Sequence, residues 1–129
     1  MTPKIVHTAV GILILIHGIM FFLGAGEMAN IGVPDISDEA FAMGKGAHEI
    51  VAMFNIFLAV VLLGSRNLDG AAATQVLKGT TVGLAFLTAG VAYHTQSLPT
   101  EMAPPLFAIA IFVGLTAWSG YVAWGKSAD

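Results

Sequence analysis

The sequence predicts an all-α integral membrane protein, a four-helix bundle of membrane spans with both termini cytoplasmic. Three observations predict it. Of the 129 residues, 57% are hydrophobic and only 10% charged; mean hydropathy is +0.84; and the apolar residues fall into four continuous runs. Soluble domains carry about 25% charged residues. The length suits a single domain over residues 1–129, and small domains bury a smaller share of their surface than large ones. Hydrocarbon is the solvent that accommodates the excess.

A span needs about 20 apolar residues, at 1.5 Å each, to cross a core about 30 Å thick. The first run covers about residues 5–24 and stops at Gly24-Ala25-Gly26. It is too long for a signal-peptide core, and no A-x-A-like site closes it, so it reads as a retained span. The second covers about residues 46–63, with a start that can lie earlier, and stops at Gly64-Ser65-Arg66-Asn67. Between them lies the longest extramembrane loop, about residues 27–45, in which Ser37-Asp38-Glu39 offers a cap for a short interfacial helix. The third run covers about residues 76–96 and stops at Ser97-Leu98-Pro99. The fourth covers about residues 104–124, with Pro104-Pro105 where a first helical turn tolerates a missing N–H. The runs are continuous rather than alternating, which excludes a transmembrane barrel.

Four spans place both termini on one side. Lys4, Arg66, Lys78 and Lys126 fall on that side and Lys45 alone on the other. The positive-inside rule makes the first side cytoplasmic, and a bacterial inner membrane is the setting this suits. Trp118, Tyr121 and Trp124 then lie toward the cytoplasmic interface, where such rings anchor.

Several functions lack their parts. Without cysteine there is no disulfide, thiolate nucleophile, iron–sulfur ligand or Cys-based zinc site. A net charge of -3 from few charges argues against nucleic acid as a partner. No nucleophile elbow, phosphate-binding loop or dinucleotide fingerprint occurs, so an enzyme is the less favoured reading.

The polar residues in the spans are the candidate sites, because an ionisable group in a membrane is a functional hypothesis by default. His17, His48 and His94 share about one depth on the outer side, with Glu49 beside His48 and with Glu27 and Glu101 flanking. His7 lies near the cytoplasmic face. If they converge, His17, His48, Glu49 and His94 form a metal-ligand set, and the three imidazoles offer axial ligands to haem or chlorin. Copper, iron, zinc and quinone all remain open, and Met20, Met28, Met43, Met53 and Met102 on the same side add thioethers that suit copper. No His-x-x-x-His or Glu-x-x-His spacing supports a metal motif, so the alternative is plain: wet interfacial residues and filler methionines.

Small residues mark where membrane helices approach closely. Gly11 and Gly18 suggest a contact face on the first span, and Gly79, Gly83 and Gly90 suggest one on the third. His48-Ala52-Asn55-Ala59 and Gly83-Leu87-Gly90-His94 each form one stripe, which turns both histidines toward the bundle. Asn55 reads as interhelical hydrogen-bonding glue. Lys78 snorkels to the headgroups, and Thr80, Thr81, Thr88, Thr116 and Ser119 back-bond to carbonyls of their own helices.

The layout resembles the small four-helix membrane proteins of the DoxX-like group. The residues that carry the likeness are Gly11, Gly18 and Gly24 in the first span, the opening Gly44-Lys45-Gly46-Ala47-His48-Glu49, and the close Leu62-Leu63-Gly64-Ser65-Arg66. The resemblance implies an accessory role beside membrane redox chemistry and transfers no catalytic residue. The favoured expectation is an accessory subunit in a larger membrane complex, in contact with lipid and other membrane subunits as a homo- or hetero-oligomer. The alternatives are a His-ligated metal, haem or pigment-binding redox protein, and a small carrier for quinone, lipid or protons.

Overall fold

The computed structural model describes residues 2–31, 33, 35–98, 100, 103, 104 and 106–125. Pro99, Glu101, Met102, Pro105 and Lys126, all named above, lie outside them. Five helices follow in order: α1 (Pro3–Leu23), α2 (Ala25–Asn30), α3 (Asp38–Ser65), α4 (Gly70–Ser97) and α5 (Leu106–Trp124). The four long ones are each long and apolar enough to cross a membrane. No strand occurs among the described residues.

Two helices start earlier than the apolar runs. The α3 helix begins at Asp38 because Ser37 caps it: the Ser37 hydroxyl accepts from Ala40 N–H at 3.2 Å, and its carbonyl accepts from Phe41 N–H at 2.8 Å. That satisfies first-turn donors that would otherwise have no partner. The cap foreseen for a short interfacial helix therefore opens the span itself, and much of the connection expected over residues 27–45 is helical. The α4 helix begins at Gly70, whose φ of +55° is the left-handed conformation that glycine adopts without strain. Its first residues, Gly70-Ala71-Ala72-Ala73-Thr74-Gln75, form helix without being apolar enough to register as span.

The chain divides into two compact units, Val10–Leu63 and a second made of Met1–Ala9 with Gly64–Asp129. In the first, α1 and α3 run antiparallel with backbones in close approach. A Cβ at Gly11 would stand 2.9 Å from Leu63 Cγ and 3.4 Å from the Ala59 carbonyl oxygen. A Cβ at Gly18 would stand 2.9 Å from Ile56 Cγ1 and 3.1 Å from the Ala52 carbonyl oxygen. Ala52 and Ala59 are fully buried. Two glycines seven residues apart thus face two alanines seven apart. The seam is steric, and it is one that small residues allow.

In the second unit, α4 packs on α5 through a different chemistry. Thr74, Thr81, Thr88 and Thr95 recur every seventh residue. Each hydroxyl reaches a carbonyl four residues back in its own helix: Gly70, Leu77, Leu84 and Val91. Three of them also reach across. Thr81 Oγ1 lies 3.0 Å from Ser119 Oγ, and Thr88 Oγ1 lies 3.1 Å from Thr116 Oγ1. Thr95 Oγ1 lies 3.4 Å from the Pro104 carbonyl. A hydroxyl has one hydrogen, so the pair has two arrangements: Thr81 donates to the Leu77 carbonyl and accepts from Ser119, or it donates to Ser119, which then donates to the Thr116 carbonyl at 3.1 Å. Leu77 and Leu84 of α4 and Leu115 and Val122 of α5 are buried. At one end of this unit the Lys78 ammonium stands 5.9 Å from the Trp124 ring centroid, a cation–π contact.

The face of α4 that packs is therefore the threonine face. Gly79 and Gly83 lie exposed on the opposite side with Phe86 and Tyr93, and a Cβ at Gly79, Gly83 or Gly90 would meet nothing from other elements within 4 Å among the described residues. Both stripes run through the same apolar helix, and the hydroxyl partners on α5 decide between them.

Two measurements check these seams. A double-mutant cycle of Thr81→Val and Ser119→Ala, read by unfolding in detergent, is expected to give a coupling of about 0.5–1.7 kcal/mol; additive effects would mean that the hydroxyls are not paired. Gly18→Ala is expected to destabilise by about 1–3 kcal/mol because its Cβ meets backbone. Gly83→Ala, in open space, should be neutral or slightly stabilising.

Candidate functional site

The polar residues that the sequence singles out gather most densely at one end of the Val10–Leu63 unit, where α1 passes into α2 and α3 begins. Gly24 joins the first two helices with little break. Its N–H donates to the Met20 carbonyl at 2.9 Å, and its carbonyl accepts from Met28 N–H at 2.9 Å. The chain then turns through Asp35, whose φ of 56° is a conformation that aspartate tolerates better than most residues. Gly44 of α3 packs on α2, its Cβ position 3.4 Å from Ala29 Cβ.

Around this joint His17, Phe21 and His48 form a run of three rings. His17 and Phe21, one turn apart on α1, stack with centroids 5.1 Å apart. Phe21 meets His48 of α3 with centroids 5.4 Å apart and a 40° tilt. The His48 imidazole donates from Nδ1 to the Gly44 carbonyl at 2.7 Å. A carbonyl can only accept, so Nδ1 carries a proton, and in the neutral ring Nε2 keeps the lone pair. Next to it, Glu49 Oε1 stands 3.7 Å from Lys45 Nζ, one turn back on α3.

A cleft of about 550 Å³ opens at this end. Phe22, Leu23 and Phe41 supply its apolar wall, and Glu27, Asn30, Lys45 and Glu49 its polar wall. Glu27 comes from the first turn of α2. A Cβ at Gly26 would reach the tip of the Phe41 ring at 3.8 Å, so the floor is narrow at that point.

Among the described residues no three His, Asp or Glu side chains stand together as metal ligands do. In the Val10–Leu63 unit, His17 and His48 both lie against the Phe21 ring, and Glu49 is held by Lys45. His94 belongs to the other unit. It is exposed rather than turned inward, and its ring contact is the edge of Tyr93 at 5.4 Å. The glycine stripe that pointed it inward lies on the open face of α4.

Asn55 lies at the contact of α3 with α1. Its amide donates to the Val51 carbonyl of its own helix at 3.0 Å. Its contribution to the α1 contact is steric, with Cβ 3.1 Å from the Cβ position of Gly18. His7, which depth alone sets apart from the others, is the one histidine that is fully buried. Neither ring nitrogen has a hydrogen-bond partner among the described residues, although the Ser65 backbone acts on the ring.

Sequence reasoning missed Phe21, Phe22, Phe41, Asn30 and Lys45 as parts of this end of the unit. One signal was available: His17 and Phe21 are four apart, the spacing at which helical side chains meet.

Comparison with family models, curated proteins and solved structures finds no match to this chain. The class it defines rests on its own features: an all-helical chain with four helices able to span a membrane.

The His48 geometry predicts a single tautomer. Nitrogen NMR of histidine-labelled protein should show Nδ1 protonated and Nε2 bare in the neutral ring; a protonated Nε2 with a bare Nδ1 would contradict the bond to Gly44.

Proposed function

We propose that this chain is a multi-pass membrane protein that serves as a non-catalytic accessory subunit, associating through its helices with other subunits of a membrane complex. The observation that carries this reading is the open face of α4. Gly79, Gly83 and Gly90 form a hollow into which no side chain of another element among the described residues reaches within 4 Å, flanked by the exposed rings of Phe86 and Tyr93. Small residues beside large ones are the surface on which a second membrane helix docks. The thin internal packing supports the same view: at most 33% of any candidate span window is buried.

The cytoplasmic placement of both termini rests on Lys4, Arg66, Lys78 and Lys126 opposing Lys45. The bacterial inner membrane is proposed on that charge pattern. The redox setting rests on the likeness to the DoxX-like group.

A redox protein with His17, His48 and His94 as ligands asks for convergent donors, and the described residues hold no such group of three. A carrier for quinone, lipid or protons has one observation in its favour, the mixed cleft beside Glu49.

The test is native purification in mild detergent with mass spectrometry of intact assemblies. The wild-type chain is expected to carry other subunits or further copies of itself. Gly83→Leu should keep its helical content and its α4–α5 pairing, since it lies on the opposite face, and lose those partners. A wild-type chain that runs alone as a monomer would overturn the proposal.

A further inference from the structure

The cleft at the end of the Val10–Leu63 unit carries more than an accessory role requires. It joins both signs of charge to an apolar wall at the point where an apolar helix gives way to polar chain. Leu23 is 79% exposed, and four residues on stands Glu27, which makes no ion pair among the described residues. Below the cleft, Ile16, Ile19, Met20 and Leu23 form an exposed apolar strip along α1, at the spacing of one helix face. On the other wall Lys45 faces Glu49 at 3.7 Å, with both side chains partly exposed. Such a pair contributes little, so either partner can exchange it for a better-matched charge.

We infer that this cleft binds the zwitterionic, amine-bearing headgroup of a phospholipid, with the ammonium between Glu27 and Glu49, the phosphate at Lys45, and an acyl chain along the α1 strip. The inference is independent of the accessory-subunit reading. Charge decides between headgroups. Two carboxylates and one ammonium leave the cleft with a net charge of −1, which repels an anionic head. The carboxylates are acceptors only, and a primary ammonium offers three N–H donors. A trimethylated amine offers none, so it keeps the charge attraction and loses the charge-assisted hydrogen bonds. The Asn30 amide adds a neutral donor and acceptor beside Glu27. Phe22 and Phe41 give the glycerol region and the start of the chain an apolar wall.

The experiment is a lipid titration of the detergent-purified full chain, followed by native mass spectrometry. Three probes share the same acyl chains: phosphatidylethanolamine, phosphatidylcholine and phosphatidylglycerol. The ethanolamine lipid is expected to bind about fivefold or more tighter than the choline lipid, and the glycerol lipid weakest. Glu27→Gln with Glu49→Gln should erase the preference for ethanolamine over choline. Lys45→Gln should weaken both zwitterionic lipids alike and keep their order. Glu27→Gln alone, at an exposed position, gives the same reading in part if the double variant fails to fold. Equal or tighter binding of phosphatidylglycerol, or an ethanolamine preference that survives loss of both carboxylates, would overturn the assignment.

Discussion

Helices dissolved in hydrocarbon gain nothing by hiding apolar side chains from one another, because lipid tails are equally apolar. What joins them is close approach and hydrogen bonding. In this chain both act at seven-residue intervals. Gly11 and Gly18 let the α1 backbone come against Ala52 and Ala59 of α3, so many weak atomic contacts form at short range. Thr81 and Thr88 meet Ser119 and Thr116 of α5, so hydroxyls on the two helices come within hydrogen-bond distance of each other as well as of their own carbonyls. Seven residues return a helix to nearly the same face, about 20° short of two full turns. A straight stripe at that period keeps a neighbouring helix in register over several turns.

The polar end of the Val10–Leu63 unit follows from how that unit closes. Because α1 and α3 run antiparallel around the Gly18 contact, the turn between them brings the end of one against the start of the other. The Ser37 cap lets α3 begin in polar sequence, which places Lys45 and Glu49 on a helix opposite Phe22 and Glu27. Phe21 of α1 then meets both imidazoles, His17 of its own helix and His48 of α3. The ring that organises these histidines is thus an apolar one. The orientation of His48 is set by its Nδ1–H, which donates to the Gly44 carbonyl.

Much of the architecture was legible in sequence because it depends on length and apolarity alone. The four long helices and the back-bonding of Thr80, Thr81, Thr88, Thr116 and Ser119 emerge as read. The helix starts were less legible, since Asp38, Glu39 and Lys45 are compatible with helix yet fall outside an apolar window. The rotation of α4 was not legible. Its glycine stripe and its threonine stripe lie on opposite faces of one apolar helix, and only hydroxyl partners supplied from α5 select the second. The candidate site suffered from the same gap. Depth along a span follows from residue number, but rotation about the axis does not. His48, Glu49 and His94 could therefore be given a depth, but not the direction in which each faces.

The seven-residue seams also bear on where this chain can change length. One residue added between Gly11 and Gly18, or between Thr81 and Thr88, turns everything beyond it by about 100° and moves it 1.5 Å along the axis. Half of each stripe would then leave its partner. The turn between Asn30 and Asp38 has no such stripe to keep. Substitution is therefore the open route of divergence inside the paired helices, and insertion or deletion is confined to the connections.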